Sequence, residues 1–88
     1  MTDEEKILVI LQEECAEVIQ AISKCFRFGF LAYHPDTPEK DNRLHLAEEL
    51  GDISAMVHLL IERGIVSEEE INQFKEKKFQ KLKRWSGL

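Results

Sequence analysis

The chain has 88 residues, 43% of them hydrophobic and 33% charged, with a formal net charge of −5. That is one domain, residues 1–88, too short for two cores and too apolar for long disorder. The carboxylate excess excludes a surface that coats a nucleic-acid polymer and suits one that collects divalent cations. No signal peptide, lipidation motif or membrane-length apolar run is present, so the cytoplasm is the expected compartment.

The first element is a helix. Thr2 is a natural N-cap, and Glu5 three residues later completes a capping box. The pattern predicts a helix from about Asp3 to about Phe26, with Gly29 just past its end. Its apolar residues, from Ile7 to Phe26, fill an arc of about 180°. One contact needs less, so this helix is expected to meet more than one neighbour, a second subunit among them. Cys15 and Cys25 would lie about 15 Å apart along it. A disulfide needs Cα atoms within about 7 Å, so both read as buried thiols of a reducing compartment.

A loop follows, roughly Phe28 to Asp41, broken by Gly29, Pro35 and Pro38. It is longer than most helix–helix connections, and long ordered loops are often functional. Arg27, Asn42 and Arg43 flank it and are candidate substrate contacts. A second helix is predicted from about Asn42 to Arg63, with Gly64 as its stop. Ser67 and Glu70 form another capping box, opening a third helix towards Trp85. Nothing alternates with period two, so no strand is expected. The fold class is all-α: a small bundle of three main helices.

Carboxylates intrude on the apolar stripes. Glu14 falls inside the arc of the first helix, with Glu17 at its border and Glu13 further out. On the second helix Glu49 projects between the directions of Met56 and Leu60, and Asp52 sits at the edge of that face. Each helix thus carries a pair at i and i+3, which share a face. A lone helix Glu is ordinarily a solvated surface acid. Two matching pairs on apolar stripes are different, because a buried carboxylate is costly unless paired or metal-bound. Hard oxygen ligands of this kind suit Mg²⁺, or Mn²⁺. No histidine is expected one turn from either pair, which argues against a di-iron bundle. Gly51 costs roughly 1 kcal/mol in a helix; it is either a tolerated imperfection or the mark of a close helix approach beside a metal.

On the third helix Ile71, Phe74, Phe79, Leu82 and Trp85 form the apolar face. Lys75 and Lys78 point into the same arc. They either snorkel over the edge of the core or, with Lys81 and Arg84, supply cations to substrate phosphates. His34, His45 and His58 each stand alone and read as structural.

The run Glu13-Glu14-Cys15-Ala16-Glu17, followed by Glu49-Leu50-Gly51-Asp52, resembles the signature of the MazG-like, all-α nucleotide pyrophosphohydrolases. That family carries Glu-Glu-x-x-Glu on one helix and Glu-x-x-Asp on the next. The resemblance spans about Ile7 to Trp85, and the Lys78…Lys81…Arg84 series fits it too. It implies a bundle completed by dimerisation, as a homodimer or a homotetramer. It implies Mg²⁺ held by Glu14, Glu17, Glu49 and Asp52. The implied reaction cleaves a canonical or non-canonical nucleoside triphosphate to monophosphate and pyrophosphate. Lys75, Lys78 and Arg84 would bind substrate, and Glu13, or a carboxylate not fully engaged with metal, would accept the proton of the attacking water. The competing expectation is a non-catalytic nucleotide-binding or protein-interaction module of the same fold. No base-recognition pocket is assignable at this level.

Overall fold

The computed structural model describes residues 1–88 and contains three helices and no strand: α1 (Asp3–Phe28), α2 (Asn42–Glu62) and α3 (Glu68–Trp85). The capping chemistry sets their starts. Thr2 Oγ1 accepts from the Glu5 N–H at 3.1 Å, and Glu5 Oε1 accepts from the Thr2 N–H at 3.0 Å. Ser67 and Glu70 repeat this reciprocal pair at α3, so two orphan donors are satisfied at each end. The α2 cap is Asp41, whose Oδ1 accepts from the Leu44 N–H at 2.8 Å.

The end of α2 is a Schellman turn. The Gly64 N–H donates to the Ile61 carbonyl and the Ile65 N–H to the Leu60 carbonyl, both at 3.0 Å. Gly64 has φ +70°, a left-handed conformation that side chains resist. α1 runs two residues further than expected, to Phe28, where Gly29 caps it with an N–H donated to the Cys25 carbonyl at 2.9 Å.

α1 and α2 form an antiparallel hairpin. At its open end Arg63 reaches back to Asp3 at 3.3 Å and Glu4 at 3.2 Å. At its closed end the Asn42 Nδ2 donates to the Gly29 carbonyl at 2.9 Å. The core of this hairpin is thin: Ile7, Ala21 and Leu60 are its buried hydrophobic residues, joined by buried Asn42. α3 lays no face on the hairpin, and none of its residues is buried.

The result is a slab of 41 × 40 × 16 Å with a radius of gyration of 15.8 Å. A compact domain of this length would have a radius near 12 Å. Large apolar side chains therefore stand in solvent, among them Ile19, Phe26, Phe74 and Trp85. The cysteines correct an expectation for the same reason. Both are free, but Cys15 is exposed and Cys25 half-buried, because the wide apolar arc of α1 meets only α2 within one chain. Gly51 also departs from expectation. It is exposed, and a Cβ there would meet nothing within 4 Å, so no helix approaches it inside the chain.

Candidate metal centre

The antiparallel pairing brings the middle of α1 opposite the middle of α2. One carboxylate oxygen from each of Glu14, Glu49 and Asp52 lies within 4.8 Å of the others. Glu14 and Glu49 are half-buried between the helices, and Asp52 is exposed at the rim. None of the three is in an ion pair with Lys, Arg or His.

That crowding is electrostatically unfavourable. Partial desolvation between the helices pushes the Glu14 carboxyl above its ordinary range, and the Asp52 charge and a hydrogen bond shared with Glu49 push it further. Glu49 is raised too, by desolvation first and then by the Asp52 charge. Close carboxyls resist joint ionisation because like charges repel. A divalent cation would relieve the same repulsion. The donor set is all oxygen, which fits a hard ion such as Mg²⁺.

Glu17 stands beside this cluster, outside the trio. It lines a small cleft with Gln20, Ala21, Lys24, His45 and Glu49, and its charge also raises Glu49. Glu13 is exposed on α1. Lys75, Lys78 and Arg84 are exposed on α3, away from the hairpin. The Arg84 guanidinium lies 5.3 Å from the centroid of the Trp85 ring, in a cleft shared with Lys77, Gln80 and Lys81. Within a single chain these cations do not line the acidic cluster or its cleft.

Two residues beside the site are not expected there from the sequence: its pattern does not single out Lys24, and His45 reads as structural. Lys24 follows Glu17 by two helical turns, so both fall on one face of α1. His45 precedes Glu49 by one turn, which corrects the expectation that no histidine lies so close. His45 is half-buried and hydrogen-bonds the Thr37 hydroxyl at 3.1 Å. Neither belongs to the oxygen trio, and the spacing from the acids was the signal for both.

Comparison with known proteins gives one match. The family described as the MazG nucleotide pyrophosphohydrolase domain matches residues 2–84. No curated protein and no solved structure matches the chain.

Proposed function

Because the chain belongs to the MazG nucleotide pyrophosphohydrolase family, we propose that it cleaves a nucleoside triphosphate, canonical or not, to a monophosphate and pyrophosphate with Mg²⁺ as cofactor. The observation that supports this most is the convergence of Glu14, Glu49 and Asp52 within 4.8 Å without a cationic side chain among them. These three, with Glu17 alongside, are the residues that would hold the ion; Mn²⁺ has the same donor preference. Bound Mg²⁺ supplies positive charge to phosphate oxygens and acidifies water.

The chain's own groups have distinct tasks in this reading. Glu13 precedes Glu14 directly and lies one turn before Glu17. It is exposed and accepts the proton of the attacking water. Lys75, Lys78 and Arg84 neutralise the polyphosphate, which has too much charge for one metal site alone. Their place on a detached helix favours service to an acidic cluster on another copy. The exposed apolar faces of α1 and α3 support the same assembly, a homodimer or a pair of dimers. An apolar cleft of Ile22, Cys25, Phe26, Phe30 and Leu46 offers a seat for it.

No helix is long and apolar enough to cross a membrane. Two unpaired cysteines, one exposed and one half-buried, suit a reducing cytoplasm. The net charge of −5 disfavours a nucleic-acid polymer as ligand.

The test is a panel of nucleoside triphosphates with and without Mg²⁺, with products identified. Monophosphate and pyrophosphate should appear only with the metal. Glu49→Gln should lower the rate at least about a hundredfold, since it removes one charged ligand from the site. Release of orthophosphate instead, or full activity in Glu49→Gln, contradicts the proposal.

A further inference from the structure

The small cleft beside the acids does not end at His45. A second cleft of about 240 Å³ continues from Lys24 and His45 to His34, Asp36, Thr37 and Asn42. A third, of about 320 Å³, continues from Lys24, His34 and Asn42 to Phe28, Tyr33 and Pro35. Lys24 lines all three. One run of three adjoining surface clefts, sharing Lys24, thus extends from Glu49 to the rings of Phe28 and Tyr33. Its last chamber is at the low end of the size range of small-ligand pockets, about 300–1,000 Å³.

The loop that lines this chamber is fixed by its own backbone hydrogen bonds. The Asn42 N–H donates to the Ala32 carbonyl and the Arg43 N–H to the Phe30 carbonyl, both at 2.9 Å. The Thr37 N–H donates to the His34 carbonyl at 3.0 Å. Two polar groups in the lining are left for a ligand. Asn42 is only 5% exposed, and both side-chain hydrogen bonds it makes are donated by Nδ2, to the carbonyls of Lys24 and Gly29. Its Oδ1 is an acceptor without a protein donor. His34 Nδ1 accepts from the Asp36 N–H at 3.0 Å, which places the proton of the neutral ring on Nε2. The lining therefore presents an acceptor and a donor beside aromatic rings.

We propose that this loop chamber binds the heterocyclic base of the nucleotide, with Tyr33 as the stacking surface and Asn42 and His34 reading its polar edge. The inference rests on the hydrolase reading only for the orientation of the ligand, phosphates at the acids and base in the loop. Lys24 is ten residues beyond Glu14, about 15 Å along the helix, comparable with the span of a nucleoside triphosphate. An adjacent donor and acceptor beside a flat ring is the pattern that every nucleobase edge presents. Tyr33 and Phe28 are 60% and 59% exposed, so their rings are accessible to a ligand entering from solvent.

The experiment reads binding without turnover. Dissociation constants are measured by calorimetry in Mg²⁺ for α,β-methylene analogues carrying each common base, and for inorganic tripolyphosphate. The wild-type chain should bind at least one analogue about tenfold more tightly than tripolyphosphate, as base stacking on an aromatic ring allows. Tyr33→Ala should erase that advantage and leave tripolyphosphate binding unchanged, and Tyr33→Phe should keep it. A wild-type chain with no preference for any analogue overturns the proposal. So does Tyr33→Ala that weakens both ligands alike or neither. Base-selective binding by a chain that releases no pyrophosphate would sink the hydrolase reading and leave the base chamber standing. Active hydrolysis with Tyr33→Ala binding every analogue like wild type would do the reverse.

Discussion

Glu14, Glu49 and Asp52 repel one another across the seam between α1 and α2, and that repulsion has a pH signature. The Glu14 and Glu49 carboxyls are raised in the folded chain. A raised acid binds its proton more readily folded than unfolded, so it costs stability above its folded pKa and stops doing so as pH falls through it. Glu5 and Glu48 have the opposite sign. Hydrogen bonds from Thr2 and Lys40 lower them, so their contribution is present above the unfolded value of about 4.3 and is lost below it. Without metal, Tm is therefore expected to rise as the pH is lowered through the folded pKa of this pair, before general acid denaturation sets in. With millimolar Mg²⁺ the slope should reverse, because the ion binds only ionised ligands and only the folded chain. Thermal scans at stepped pH, with and without Mg²⁺, check both signs. At this scale the acids were legible because a carboxylate on an apolar stripe breaks the helix pattern. Lys24 and His45 were not, since a lysine or histidine on a polar face breaks nothing and gains meaning only from its distance to the acids.

Helix boundaries were legible wherever a short-range bond makes them. Thr2 with Glu5, Ser67 with Glu70, and Gly64 each act within a few residues of themselves, so local chemistry announces them. The loop after α1 was legible only as a loop. Its shape depends on Asn42 bonding back to Gly29, Ala32 and Lys24, and no periodicity records contacts at that separation. Gly51 marks the limit of element-scale inference: a tight crossing explains a helical glycine well, yet open space surrounds this one. Gly51→Ala should therefore stabilise the chain by about 1 kcal/mol, the usual helix-propensity difference. The check is the denaturant midpoint, which should move up at constant slope. A lower midpoint would mean that a helix of another copy occupies the space.

At the scale of the whole molecule, a slab 16 Å thick cannot enclose a conventional core. The all-α class and the number of helices were legible; the detachment of α3 was not. Its apolar face reads the same whether it turns inwards or towards a neighbour. Proposed self-association predicts that Tm rises with protein concentration and that light scattering gives a multiple of 10.3 kDa. Phe74→Ser with Trp85→Ser should shift the species to monomer and lower Tm; a monomeric wild-type chain would contradict the assembly. The junction Arg63–Ser67 has a further consequence. Its backbone is shaped by the Gly64 turn, so the last helix leaves on a short tether whose direction that turn sets. Neighbours that trade this arm need only differ from a self-closed chain in that one bend. Splicing a flexible stretch into the bend would then change how many chains travel together without altering a single residue that they touch.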